Sequence, residues 1–362
     1  MRKKIAVVAS SIDLVKQGHL LLWFRHLNQK NDFFKFQLFL GSRKKNIPES
    51  RSFKINSRLG RLKYLILGKG SSHIQPLLDY KPDIVHLLTS NAFEYIQPML
   101  NKNLKVIVSF RGYDINVFPH QCNMNLKITQ EIFKNADSLH FVSNALMHSA
   151  LHLGAPKDKC LVITRSLRVT EKKNQIAKHK SDNDILIASV GRLVWEKGYI
   201  YALEAMYILK SKGIRFKYLI GGSGIDENAI RYHIKRLNLE DYVELLGQLN
   251  REEVWKLLSD ADIFLQTSLI EAMPNTIIEA SFFSLPIVSS NIGGIPEVVE
   301  NEINGFLSPV CQPKGFALSL EKLINDVDLR KTMGTRGREK IKIEFNPENE
   351  IEKWIALYKV LC

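Results

Sequence analysis

Two carboxylates, Glu271 and Glu279, have seven residues between them in SLIEAMPNTIIEA, residues 268–280, with Pro274 and Asn275 in the middle. The preceding DIFLQTS has the apolar run of a strand, and TIIEASFF opens a helical pattern, so Glu271 falls in the connecting loop. Proline tolerates a first helical turn and asparagine caps one, so Pro274 and Asn275 predict the helix start. Free backbone N–H groups near Asn275 and Thr276 would then form an anion site. Glu279 lies about one turn further, on a face that can reach the same place. Carboxylates are poor phosphate ligands but good acceptors for sugar hydroxyls. An anion site flanked by two such acids suggests a nucleotide sugar: phosphates in the middle, ribose on one side, hexose on the other.

A second element agrees. In ASVGRLVWEKGYIYALEA a strand ends at Gly191, and Arg192 and Lys197 follow before a helix. Arginine offers a fork suited to a diphosphate and lysine a compact point charge, so together they could neutralise a leaving nucleoside diphosphate without a metal. In YLIGGSGIDE, Gly221, Gly222 and Gly224 end another strand and would let backbone approach a ligand. GGSG is neither a dinucleotide fingerprint nor a P-loop.

These residues need elements to hold them. Short apolar runs alternate with helical stretches: KIAVVAS, FKFQLFL, DIVHLL, KVIVSF, SLHFVS and CLVIT, then DILIASVG, FKYLIGG, YVELLG, DIFLQTS and LPIVSS. Runs without strict alternation suit strands covered on both faces, and their alternation with helices predicts parallel α/β sheets. The polar, charged stretch from residue 165 to 184 separates the two series and reads as a linker centred on 169–183. The predicted organisation is one Rossmann-like domain over 1–168, a second over 184–344, and a helix from 345 to 362 that crosses back. Open sheets of this kind bind ligands at the carboxyl ends of their strands.

The chain has 362 residues, 45% of them hydrophobic, enough for two cores, and no apolar run approaches the 18 residues of a membrane span. In MRKKIAVVASSIDL the apolar run is brief and Asp13 follows without a cleavage site, so it reads as a first buried strand rather than a signal peptide. The four cysteines form no C-x-x-C pair, which argues against a zinc site or a disulfide framework and fits a reducing cytoplasm. Asp182-Asn183-Asp184 spells D-x-D, but it sits before a strand, in the linker, and reads as solvated rather than metal-binding. His86, His120 and His140 read as structural.

The motifs GRLVWEKG, IGGSG, LLGQL, EAMPNTIIE and SNIGGIPEVVENEINGFL occur in the order seen in glycosyltransferase family 4, and residues 184 to 345 resemble that family throughout. The resemblance implies the GT-B fold, α/β with two Rossmann-like domains facing across a cleft, and a retaining, metal-independent transferase. It implies that Arg192 and Lys197 hold the donor diphosphate and that Glu271 contacts the transferred sugar. The amides of Asn275 and Thr276, next to Pro274, would meet phosphate, and Glu279 the ribose. Gly222 would line the donor site, and backbone around Gly247 and Leu249 would read the base. The donor would be a nucleoside-diphosphate sugar, with no cofactor or metal, and the acceptor a glycan or lipid-linked glycan of a bacterial surface polysaccharide.

The first half departs from that pattern. Where the family carries a Gly-Gly pair after the first strand, DLVKQGHLLLW has only Gly18. Where it often has His-Gly-x-Asp, this chain reads Arg111-Gly112-Tyr113-Asp114. Arginine cannot serve as a general base, its pKa staying above about 12, but it could stabilise phosphate or an acidic sugar. Arg111 is therefore expected in the catalytic cleft and Asp114 on the acceptor side. Up to residue 168 there are 26 Lys+Arg and 10 Asp+Glu, a net of +16, against −2 for the remainder and +14 for the whole. The basic stretch from 51 to 70, with Arg58, Arg61 and Lys63 among leucines, predicts an amphipathic helix on anionic lipid, placing the protein peripherally on the inner face of the plasma membrane. The alternatives are a non-hydrolysing nucleotide-sugar epimerase, against which the paired glutamates and GRL…K argue, and a polyanion-binding protein. For the latter no RRM, KH, zinc-finger or P-loop signature supports nucleic acid as the partner.

Overall fold

A computed structural model describes residues 3–9, 23–25, 27–29, 33–40, 50–52, 75–93, 104–167 and 185–362. Gly18, Arg58, Arg61, Lys63, the D-x-D triplet and the predicted linker lie outside these residues. The chain divides into two compact units, Met1–Arg165 with Pro347–Cys362, and Ser166–Asn346.

The first unit holds a parallel sheet of strands β1 (Lys3–Ala9), β2 (Phe34–Leu40), β3 (Ser50–Ser52), β4 (Ile84–Leu87), β5 (Lys105–Phe110), β6 (Ser138–Phe141) and β7 (Cys160–Val162), in the order β3-β2-β1-β4-β5-β6-β7. Every residue of β4 and β6 is buried, as in parallel strands covered on both faces. The helix Pro347–Leu361 belongs to this unit: Ile351, Trp354 and Tyr358 pack with Ile5, Val7, Trp23, Phe34 and Phe36 in one core. Its rings meet edge-on or tilted, Trp354 at 5.5 Å from Trp23 and Tyr358 at 5.6 Å from Phe36, in the arrangement aromatic quadrupoles favour.

Beneath that helix runs a buried polar chain. Tyr358 Oη lies 2.8 Å from His86 Nδ1, His86 Nε2 2.8 Å from Ser109 Oγ, Ser109 Oγ 2.8 Å from His140 Nδ1, and His140 Nε2 3.0 Å from the Ile163 carbonyl. A carbonyl only accepts, so His140 carries its proton on Nε2 and takes one from Ser109 on Nδ1. Ser109 then accepts from His86 Nε2–H, and His86 Nδ1 accepts from Tyr358. One end fixes every tautomer. Burial pushes His86 well below the ordinary histidine range and His140 down to about 3.

The second unit holds β8 (Ile185–Val190), β9 (Phe216–Gly221), β10 (Val243–Gly247), β11 (Ile263–Gln266), β12 (Ile287–Ser290) and β13 (Gly305–Ser308), parallel and in the order β10-β9-β8-β11-β12-β13. Helices Tyr199–Ser211 and Pro313–Asn325 bury Leu203, Met206, Phe316 and Leu320 against β8, β9 and β11. The helix Arg251–Asp260 starts with a capping box in which Asn250 accepts from two amides and Glu253 returns a bond. Strands β3 and β13 have no long apolar run. The first is a polar three-residue edge and the second is only GFLS, so the period that reveals the others is missing.

Candidate functional site

In the second unit β8 and β11 are neighbours and parallel, so the loops leaving their carboxyl ends emerge side by side. After β8 the chain makes a 3-10 turn, Trp195–Lys197, and reaches Gly198 at φ +63°. A Cβ there would stand 2.2 Å from the Thr267 carbonyl, so only glycine allows the two loops to touch. Thr267 completes the clasp by donating to the Gly198 carbonyl at 2.9 Å, and Leu269 N–H donates to the Glu196 carbonyl at 2.8 Å.

This clasp brings Lys197 to Glu271, 74 residues away in sequence, with Nζ 2.6 Å from Oε2. Both side chains are mostly sheltered, at 21% and 12% exposure, whereas Arg192 is 66% exposed and forms a surface pair with Glu196 at 3.0 Å. Glu271 is itself seated by Gly293, at φ +54°, whose missing Cβ would stand 1.7 Å from the Glu271 carbonyl. Sequence alone identifies Lys197 and Glu271 as charges of one site but not as partners of each other.

The helix Asn275–Phe282 starts one residue earlier than a cap at Asn275 would give. Pro274 is the capping residue, at φ −84° and ψ 83° with no side-chain cap bond, and Asn275 is the first helical residue, exposed. The Asn275 amide is not free, since it donates to the Met273 carbonyl at 3.0 Å. The expectation that Asn275 caps the helix and offers its amide is therefore corrected. Proline and asparagine both suit a helix start, and here proline takes the cap and asparagine the first turn. The unpaired amides are those of Thr276 and Ile277, which donate to no acceptor among the described residues, and Ile277 is fully buried. An unpaired buried donor at a helix start invites an anion. Glu279 lies one turn on, half-buried.

The β9 and β10 loops close the other side. Gly222, at φ +146°, approaches so tightly that a Cβ would stand 1.8 Å from the Gly191 carbonyl, and its amide donates to the Gly247 carbonyl at 2.7 Å. Leu249, half-buried, lies against Gly221. Gly247 sits at φ +71° with open space around its Cβ position, so its left-handed backbone rather than crowding calls for glycine. Sequence reasoning missed Gln266, a polar residue ending an apolar strand, whose amide touches Glu271, Ser268 and Thr276. Its polarity inside a buried run was the available signal.

In the first unit, Arg111 donates Nε to the Leu88 carbonyl at 2.7 Å. Burial pushes its guanidinium down from the ordinary value, and Asp114 and Glu350 oppose that shift. The Asp114 carboxylate accepts from the Arg111 and Gly112 amides, each at 2.9 Å, and so shapes the turn at Gly112, φ +134°. Burial raises the Asp114 carboxyl and these amides lower it. Asp114 thus has an internal role beside the one expected of it. Among the described residues no cluster of His, Cys, Asp and Glu could hold a metal, and no helix is long and apolar enough to cross a membrane.

Comparison with known proteins adds the family. Residues 171–340 match the model of "Glycosyl transferases group 1". The chain is 33% identical over 267 residues to the amylovoran biosynthesis glycosyltransferase AmsK of Erwinia amylovora, covering 70% of this chain and 65% of AmsK. It is 31% identical over 251 residues to the putative colanic acid biosynthesis glycosyltransferase WcaL of Escherichia coli K12, covering 67% and 61%. It thus spans somewhat less than two thirds of these relatives. In structure it resembles a sucrose-phosphate synthase of Thermosynechococcus elongatus, with TM-score 0.81, 18% identity and 99% of each chain covered. It also resembles Anabaena HepE in complex with UDP and glucose, with TM-score 0.80, 17% identity, and 99% and 100% covered. The architecture is GT-B, and residues 171–340 carry the group 1 glycosyl transferase family, glycosyltransferase family 4.

Proposed function

We propose that this chain is a retaining glycosyltransferase that moves a sugar from a nucleoside-diphosphate sugar to a hydroxyl of a glycan or lipid-linked glycan in bacterial cell-surface polysaccharide synthesis. The observation that carries the reading is the meeting of Lys197 and Glu271 beside the unpaired amides of Thr276 and Ile277, at the carboxyl ends of a parallel sheet. The names of AmsK and WcaL support the class of product, and the complex of HepE with UDP and glucose makes UDP the first nucleotide to try.

In this reading the donor diphosphate lies over the Thr276 and Ile277 amides and draws Lys197 away from Glu271, with Arg192 turning in from solvent. Glu271 then accepts from a hydroxyl of the transferred sugar and Glu279 from the ribose. Base contacts fall to backbone around Gly222, Gly247 and Leu249. Charge builds on the departing diphosphate in the transition state, and cations aimed at it lower the barrier without a protein nucleophile or a metal. Arg111 stabilises phosphate or an acidic group. The +16 net charge up to residue 168 suits an anionic membrane surface and a lipid-linked acceptor, with the protein peripheral on the cytoplasmic face.

The test is thermal shift with UDP, GDP, ADP and CDP, each with and without EDTA. One diphosphate should raise Tm, and the rise should survive EDTA. No shift with any of them sinks the donor-site reading, while a shift abolished by EDTA sinks its metal-free part.

A further inference from the structure

Gln266 ends β11 and is 7% exposed. Its amide makes three hydrogen bonds. Nε2 donates to Glu271 Oε2 at 2.9 Å and to Ser268 Oγ at 3.1 Å, while Oε1 accepts from the Thr276 hydroxyl at 3.0 Å. The carboxylate decides which way the amide faces, since the flipped amide would aim a carbonyl oxygen at Glu271. Lys197 donates to the same oxygen, Oε2, at 2.6 Å. Both protein donors therefore use one side of the Glu271 carboxylate, and Oε1 receives no hydrogen bond from the described residues.

We propose that Gln266 is a positioning residue. It holds Glu271 with Oε1 turned to the incoming sugar, and it ties that carboxylate to the phosphate-facing helix start through Thr276. The inference rests on the donor-site reading above and deepens it. If Lys197 moves to the donor phosphate, Glu271 loses its counter-charge while still largely sheltered from water. A carboxylate in that position with no donor is costly to keep ionised. Gln266 supplies the donor that stays behind, so Lys197 is free to change partners and Glu271 keeps its place. The Thr276 hydroxyl has one proton and gives it to Gln266, which fixes its side chain.

A substitution that keeps the shape and inverts the chemistry separates this role from packing. Gln266→Glu places a second carboxyl group about 3 Å from Glu271 Oε2, and two carboxylates so close ionise together only against strong mutual repulsion. Near pH 8 the pair repels and Glu271 is displaced. As the pH falls the pair takes up a shared proton, and the protonated member donates as Nε2 did.

The experiment is calorimetry on the full chain with UDP-glucose, GDP-mannose, ADP-glucose and CDP-glucose, each beside its free diphosphate, at pH 8 and pH 6. Displacing Glu271 removes a charged hydrogen bond to the sugar, so Gln266→Glu should lose about tenfold or more in nucleotide-sugar affinity at pH 8, relative to the free diphosphate. Much of that loss should be regained at pH 6, a recovery absent from the wild type. Thr276→Val, which keeps the amide but cuts the bond to Oε1, should lose several-fold at both pH values. If both variants melt like the wild type and keep its ratio of nucleotide-sugar to diphosphate affinity at both pH values, the inference is overturned. It is equally overturned if the variants weaken both ligands together with no pH dependence, which is what loss of packing would do. A wild type that binds a diphosphate but no nucleotide sugar refutes the role of Glu271 and of Gln266 alike. A wild type that binds neither sinks the donor-site reading first and this inference with it.

Discussion

A single residue can hold a loop in place by having no side chain. Gly293 stands where a Cβ would meet the Glu271 carbonyl at 1.7 Å, in a left-handed backbone that resists any side chain. Gly293→Ala must therefore push the Glu271 backbone aside or move its own loop. The expected cost is about 1–3 kcal/mol of stability for the strained conformation, together with weakened nucleotide-sugar binding because Glu271 moves. On the proposed roles the free diphosphate does not use Glu271, so its binding should fall much less. A variant that melts and binds like the wild type would show that the loop is looser than its packing implies. Glu279→Ala provides a contrast within the same site. In the proposed donor site it removes a charged hydrogen bond to ribose worth roughly 1.5–3 kcal/mol, so free diphosphate and nucleotide sugar should weaken together by about ten- to a hundredfold. Calorimetry with both ligands distinguishes the two carboxylates.

At the scale of elements, β4, β5 and β6 are joined to the helix Pro347–Leu361 by the chain from Tyr358 through His86, Ser109 and His140 to the Ile163 carbonyl. Both histidines are held below their ordinary range by burial, His140 at about 3. In the unfolded chain each titrates near 6.5, so below that pH the unfolded state takes up protons that the folded state refuses. Stability should thus be level above about pH 7 and fall as the pH drops below 6.5, by up to about 1.4 kcal/mol per pH unit for each histidine. Urea unfolding at pH 7.5, 6.5 and 5.5, followed by near-UV circular dichroism, measures the slope, and His140→Gln should roughly halve it. A slope unchanged by that substitution would refer the pH dependence to other groups. The sequence made most of this framework legible, since FKFQLFL and KVIVSF are strands from end to end. Ser50–Ser52 and Gly305–Ser308 were hidden because a short edge strand and a GFLS run carry no periodic signal. The site was legible as an inventory of charges. It was not legible as a network, because Gln266 acquires its meaning only when the chain brings Glu271 and Thr276 to it, and because Pro274 and Asn275 both fit a helix start.

At the scale of the molecule, the unit Ser166–Asn346 is continuous in sequence, whereas the first unit is built from two separate pieces. Ending the chain at Asn346 should accordingly leave the second unit's melting and diphosphate binding intact. It should strip Ile351, Trp354 and Tyr358 from the first core and make that unit readily digested. Limited proteolysis read by mass spectrometry checks this, and a protected first unit in the shortened chain would contradict it. The same arrangement sets a timetable during synthesis. Chains grow at roughly 5–20 residues per second, so making Ser166–Asn346 takes on the order of ten to forty seconds. Through that interval the nascent first sheet has Trp23, Phe34 and Phe36 in hand but not the helix that covers them. The half of the chain that is made first is thus completed late, and meanwhile its aromatic face is a place for a chaperone, or for another unfinished chain, to bind.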